Sequence, residues 1–350
     1  GMPMGVQVIG RSGDDAFTLN NNVTLDGNID GGDGSNTLAL NSGASIGGTV
    51  ANVDVTITID GNNGIKTAAD FNDQILVQID AGSLEVIVNG TSNRFFVPTT
   101  TNLNVILDIL STTGTDSLTV NYETETSTMP LPSDIRFNTT DGGDRVRLIG
   151  AAGRTATYQP VLVGGQRILE IGDVADALSL RTVRLQQTAT VPSVELDTFN
   201  SFDFTSGGAT DTVTLSQANA PLGAQQALSI AGSSGGSPFE TLLLSDVGAV
   251  SIDLGTNDAT GAGSPDTVTV SDGALRANLT LTGLTITTGN GDDILTLNES
   301  SYQNAAAVPV SPLSVDLGAG ADRVNIDPNA TPADDPDEIV LTDAQVILRD

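Results

Sequence analysis

Cysteine, histidine and tryptophan are absent from this chain, lysine occurs once, at Lys66, and aromatic residues make up only 3% of it. Without thiols or imidazoles there are no disulfides, no thiol nucleophile and no imidazole base. Zinc, copper and haem sites built on those ligands are excluded with them. No P-loop, dinucleotide fingerprint or nucleophile elbow is present, and a histidine metalloprotease motif is impossible. Positive charge is scarce as well: 13 Lys plus Arg face 43 Asp plus Glu, a formal charge of −30 over 350 residues. Such a surface repels phosphate, so nucleic acid is not an expected partner and anionic membranes are disfavoured. No run approaches the roughly 18–20 apolar residues a membrane helix needs, so membrane insertion is not expected. The start, Gly1-Met2-Pro3-Met4, lacks the basic and apolar regions of a signal peptide, and Gly1 reads as a remnant of tag cleavage.

What is present is glycine, 39 residues of it, with an apolar fraction of 38% that is too high for a chain held open by its charge. Asp far outnumbers Glu. Asp favours turns, where its short carboxylate bonds a nearby backbone N–H, and Glu favours helices, so helix is the minority state. The core is therefore built from many small aliphatic and β-branched side chains.

One phrase recurs: a Gly/Asp-rich turn, then Asp or Asn, a variable residue and an alternating strand. Copies are Gly13-Asp14-Asp15-Ala16-Phe17-Thr18-Leu19, Gly34-Ser35-Asn36-Thr37-Leu38-Ala39-Leu40 and Gly114-Thr115-Asp116-Ser117-Leu118-Thr119-Val120. Further copies are led by Asp144, Asp211, Asp266, Asp293 and Asp322, with a weaker one at Asp176. Short strands are expected between them, at Val23–Leu25, Val53–Ile59, Val161–Val163, Leu242–Leu244, Val250–Leu254 and Leu279–Leu281. About three short strands per ~30 residues is the rhythm of a parallel β-helix. The expected fold is all-β, a right-handed parallel β-helix (solenoid), with coils over 1–59 and 111–350. Asn62-Asn63-Gly64 and Asn89-Gly90 are hairpin signals, so 60–110 is expected to be an insertion or irregular β module. The strand Gln345-Val346-Ile347-Leu348 is the candidate C-terminal cap. The rival reading is tandem β-sandwich domains, with hairpins and larger buried aromatics.

At Asp30-Gly31-Gly32-Asp33-Gly34-Ser35-Asn36-Thr37-Leu38 and Gly289-Asn290-Gly291-Asp292-Asp293-Ile294-Leu295 the chain resembles the nonapeptide of RTX proteins. That motif, G-G-x-G-x-D-x-U-x, places calcium between neighbouring turns of a β-roll. The scattered copies also resemble the β-helical regions of large secreted bacterial surface and adhesin proteins. The resemblance implies an extracellular or cell-surface protein. RTX copies follow at nine-residue intervals, whereas the spacings here are near 30, so one copy supplies half a coordination shell.

Calcium takes six to eight oxygen ligands, so stacked acidic turns are candidate sites. The candidates are Asp14, Asp15, Asp30, Asp33, Asp141, Asp144, Asp292, Asp293 and Asp322. The competing expectation is that each makes a local turn at a corner and faces water, as does the loop Asp334-Asp335-Pro336-Asp337-Glu338. A polysaccharide lyase or hydrolase would need paired acids and a neighbouring base. Arg145, Arg147 and Arg154 near Asp141 and Asp144 come nearest. Arg145 and Arg147, alternating with Val146 and Leu148, are expected on the outer face. Sugar-binding platforms have few aromatics to draw on: Phe95-Phe96 and Phe199, Phe202 and Phe204 are expected to pack inside, and Tyr122, Tyr158 and Tyr302 are the only tyrosines. The leading expectation is a non-catalytic structural or adhesive segment with no resident cofactor, whose partner is a carbohydrate or another surface protein. A calcium-binding β-roll-like module and a β-helical lyase or hydrolase are the alternatives.

Overall fold

A computed structural model of the chain describes residues 6–20, 22–41, 44–48, 50–60, 72–95, 105–110, 114–125, 131–138, 143–151, 153–163, 166–173, 176–186, 193–207, 210–223, 226–256, 258, 264–271, 274, 280–298 and 313–327. Two compact units divide it, Gly1–Ile149 with Asp176–Thr190, and Gly150–Ala175 with Val191–Asp350. The structure is nearly all β, with sheets that are mainly parallel.

The first unit begins with a regular repeat. Strands β1 (Val6–Ile9), β2 (Ala16–Leu19) and β3 (Thr24–Leu25) are followed by β4 (Gly27–Asp30), β5 (Thr37–Leu40) and β6 (Ser45–Ile46). Each strand of the first set pairs in parallel with its counterpart: Val6 with Gly27, Ala16 with Thr37, Thr24 with Ser45. One register step thus holds on three separate faces. A third repeat starts with β7 (Val50–Ala51) and β8 (Asp54–Asp60), which pair in parallel with β4 and β5. The β2–β5–β8 sheet continues through Val105–Leu110, Asp134–Asn138 and Asp176–Gln186.

A second sheet of this unit joins Gln74–Asp80, Ser117–Asn121 and Arg145–Ile149 in parallel. Its alternation explains itself: Leu118, Val120, Val146 and Leu148 are fully buried while Thr119 and Arg147 between them are half-exposed. The register stacks like on like, with Ile75, Leu118 and Val146 in one column and Val77, Val120 and Leu148 in the next. Each such side chain stabilises the fold by about 1.5–3 kcal/mol. The hairpin signal at Asn89-Gly90 is a true two-residue turn: both residues have positive φ, 49° and 78°, and they join the antiparallel strands Ser83–Val88 and Thr91–Phe95. Asn62-Asn63-Gly64 lies outside the described residues.

In the second unit, Asp211–Asn219, Thr267–Val270, Ile294–Asn298 and Arg323–Asp327 pair in parallel. So do Arg154–Val163, Ser201–Thr205, Ala249–Asp253, Gly283–Thr287 and Leu313–Asp316 on another sheet. Two antiparallel hairpins are let into these sheets, Arg154–Val163 with Gln166–Asp173, and Asp211–Asn219 with Gln226–Ser234. Of the strand expected at Leu279–Leu281, Leu279 lies outside the described residues and Leu281 is buried ahead of the strand, which runs Gly283–Thr287 with Leu284 and Ile286 in the core. Phe199, Phe202 and Phe204 are buried, and Phe204 stacks at a tilt on Tyr158 and Phe239, with ring centroids 5.8 and 5.1 Å away. Phe95 is buried in the first unit, whereas Phe96, Tyr302 and the segment Gln345–Leu348 lie outside the described residues. Among the described residues, no helix is long and apolar enough to cross a membrane.

Candidate functional site: a buried aspartate corner

At Asp116, Asp144, Asp266, Asp293 and Asp322 the Asp that leads a repeat phrase reaches back with its carboxyl to the corner before it. In the first unit the Asp73 backbone N–H donates to Asp116 Oδ1 at 2.7 Å, and the Asp116 N–H to Asp144 Oδ1 at 2.8 Å. In the second, the N–H groups of Asp211, Asp266 and Asp293 donate to Oδ1 of Asp266, Asp293 and Asp322 at 2.8, 2.8 and 3.0 Å. On the β2–β5 face Asn36 plays the same part, its Oδ1 accepting from the Asp15 N–H at 2.9 Å.

The preceding residue works in the opposite direction. Oδ1 of Asp14, Asn72 and Asp292 accepts from the N–H of Ser35, Thr115 and Ala321 in the following repeat, each at 2.9 Å. At Asp292-Asp293 the doublet therefore ties its corner backward through Asp293 and forward through Asp292. Only a short side chain can hold this geometry, since a Glu carboxyl stands one methylene further out. That is a physical reason for Asp rather than Glu at these corners.

The inner members are buried. Asp116, Asp266 and Asp293 have no exposed surface, and Asp73, Asp144 and Asp211 are about 1% exposed. Burial raises the carboxyls of Asp211, Asp266 and Asp293 above their ordinary value, and pushes Asp266 up to about 8. Backbone and hydroxyl donors oppose the shift at each, Ser206 and Ser234 at Asp211 and Thr288 at Asp293. The nearby carboxylates of Asp211, Asp258 and Asp293 reinforce it at Asp266. Asp266 Oδ2 is enclosed and accepts no hydrogen bond. At Asn36 the atom in the equivalent place is an amide nitrogen, which donates to the carbonyls of Asn52, Gly32 and Gly34. At Asp266 it is burial that favours the protonated form.

The sequence-derived candidates separate into distinct roles. Asp144, Asp293 and Asp322 belong to the inner series, and Asp14 and Asp292 to the outer one. Asp15 donates its N–H to Asn36 and accepts the Arg11 N–H through Oδ2. Asp30 closes a local turn, accepting from the Gly32 N–H and from Asn52 Nδ2, and these donors lower its pKa. Asp33 is exposed, with a backbone bridge to Ser12. Asp141 lies outside the described residues, as does the loop 334–338. Among the described residues, no three acids converge where a metal ion could be held. The inner Oδ1 atoms of Asp144, Asp293 and Asp322 accept backbone N–H groups.

Asp73 and Asp258 escaped the sequence reading. Asp73 follows Asn72 rather than glycine, so only the alternating Ile75-Leu76-Val77 behind it carried a signal. Asp258 lies off the phrase, and its Oδ2 accepts the Asn290 N–H. Of the arginines, Arg145 and Arg147 are half-exposed, and Arg154 is 9% exposed. A second buried acid sits apart from the corner: Glu240, fully enclosed beside Phe239, accepts the Tyr158 hydroxyl, and burial pushes it up to about 8.

No family model, curated protein or solved structure matches this chain.

Proposed function

We propose that the chain is a non-catalytic structural or adhesive segment of a secreted or cell-surface bacterial protein, built as a right-handed parallel β-helix. Its work is geometric: stacked coils present outward acidic corners and a hydrogen-bonded backbone to a carbohydrate or to another surface protein. One observation carries the reading. Corner bonds join equivalent positions across separations of 21, 28, 43, 27, 29 and 55 residues, always at the same point of the phrase. A repeat preserved through such different lengths is a stacking device. The buried acids in it bond backbone rather than face a cleft, which is unlike a lyase or hydrolase pair.

Deleting residues 27–47 removes one whole repeat and joins Asp26 to Gly48, the residue one step beyond Gly27. In a stacked-coil protein the shortened chain retains its β-sheet circular dichroism and a cooperative melt, because β1 and β2 meet β7 and β8 in the register that β4 and β5 used. In a sandwich the same deletion removes interior strands, and collapse of the fold would refute the reading. Product formation by the intact chain from any acidic or neutral glycan would refute its non-catalytic part.

A further inference from the structure

The first repeat is built to be covered, and nothing among the described residues covers it. Its inward side chains Val8, Phe17, Leu19 and Leu25 are half-buried, whereas their register partners Ile29, Leu38, Leu40 and Ile46 are 1%, 1%, 2% and 4% exposed. The four sit around a cavity of about 500 Å³. Val6, Ile9 and Val23 of the same repeat are 57%, 58% and 44% exposed, three of the four large apolar side chains exposed among the described residues. Among the described residues, strands β1, β2 and β3 are each the outermost strand of their sheet, with one paired edge and one open edge.

The backbone carries the same message. Gly34 and Gly13 occupy equivalent positions one repeat apart with the same φ of 125°. A Cβ on Gly34 would lie 2.2 Å from the Gly13 carbonyl oxygen, so glycine there admits the preceding repeat. A Cβ on Gly13 would meet nothing within 4 Å. Asp15 closes the inner corner series on this face: its N–H reaches Asn36, its Oδ2 accepts the Arg11 N–H of the same repeat, and no hydrogen bond to its Oδ1 is made among the described residues.

We propose that the β1–β2–β3 face receives one further coil of the same repeat, adding in parallel with the existing 21-residue register. The incoming coil is defined chemically. It carries aliphatic or phenyl side chains at the four positions above Val8, Phe17, Leu19 and Leu25, a carbonyl over Gly13, and a backbone N–H over the Asp15 carboxyl. This rests on the stacked-coil reading and extends the interface that already joins the first repeat to the second. A second copy meeting the face head to head would run its strands antiparallel and could not reproduce that register.

The test duplicates residues 6–26 immediately ahead of Val6 in the full chain and follows amide hydrogen exchange. Docking slows exchange at the open-edge amides of the original β1 and β2 at least tenfold and raises the melting temperature, with the chain still monomeric. A copy bearing Phe17→Asp and Leu19→Asp should lose the slowing. Unchanged exchange with the unaltered copy overturns the proposal, and so does a dimer of the natural chain that Phe17→Asp dissociates. Tolerance of the 27–47 deletion alongside unchanged exchange would sink this docking alone, whereas collapse on deletion sinks the stacked-coil reading itself.

Discussion

Asp266 Oδ1 accepts the backbone N–H of Asp211 at 2.8 Å across 55 residues of sequence. A carboxyl and an amide so distant along the chain meet because each stands at the head of a strand, and the two strands pair in parallel from Thr212 opposite Thr267 onward. The hydrogen bond sets that register at its first residue. It also brings an acid into a place without solvent.

Asp266 should make the protein less stable as pH rises. Its folded value of about 8 lies above the ordinary 3.8, so the native chain keeps a proton that the unfolded chain has released. Stability is then full below about pH 4, declines toward pH 8 and levels above it. Asp266→Asn keeps the Oδ1 acceptor and removes the titration. It should remove this site's share of the decline, leaving that of Glu240, and gain about 1–3 kcal/mol at pH 8. Urea unfolding of both proteins between pH 5 and 9 measures this, and parallel profiles would contradict it.

Glu240 gives a second decline of the same sign in the same window, since burial also holds it near 8. Tyr158→Phe removes the hydroxyl that donates to it and should cost about 1–3 kcal/mol. Glu240→Gln should leave stability independent of pH at this site. Thermal melts of the two variants at pH 6 and pH 9 separate the loss of the hydrogen bond from the loss of the proton.

Glu85 should behave in the opposite sense. The Ser92 hydroxyl and Gln78 amide, with Arg94, hold its carboxyl below the ordinary value. Its contribution is present at neutral pH and disappears as pH falls through that lowered value. Glu85→Gln should therefore destabilise at pH 7 and converge with the parent in strong acid. A constant difference at all pH values would show that the carboxylate charge is not what these donors recognise.

Gly13 and Gly34 form an internal control. Alanine at either position is strained by about 1–2 kcal/mol because of the positive φ. Only at residue 34 would the new methyl also strike the carbonyl of Gly13. Gly34→Ala should thus cost at least about 1 kcal/mol more than Gly13→Ala. Equal losses by calorimetry would mean that the approach between repeats is easily relaxed.

The corner was legible before the structure because Asp116, Asp144, Asp211, Asp266, Asp293 and Asp322 all head an alternating strand, and all lie in the inner series. Spacing alone misled at Asp176. Its strand, Asp176–Gln186, aligns with Asp134–Asn138 only from Thr182 onward, so the Asp does not mark a corner. The inserted hairpins Arg154–Asp173 and Asp211–Ser234 were not legible, since parallel and antiparallel strands share a period of two and differ only in their partners. The direction of each Asp was equally hidden. Nothing in an Asp-Asp doublet tells which carboxyl bends inward until the neighbouring repeat supplies its N–H. The open first repeat could not be read either, because Phe17 and Leu38 look alike as letters and differ only in what lies above them.

The corner bonds leave the polypeptide between one strand head and the next free to differ in length, 21 residues from Asp15 to Asn36 and 55 from Asp211 to Asp266. A stretch of any length can be spliced between one corner and the next so long as it returns to the same point, as the hairpin Asp211–Ser234 does ahead of Thr267. Such excursions are natural graft sites: foreign loops installed there would be carried by a scaffold whose alignment depends on neither their size nor their sequence.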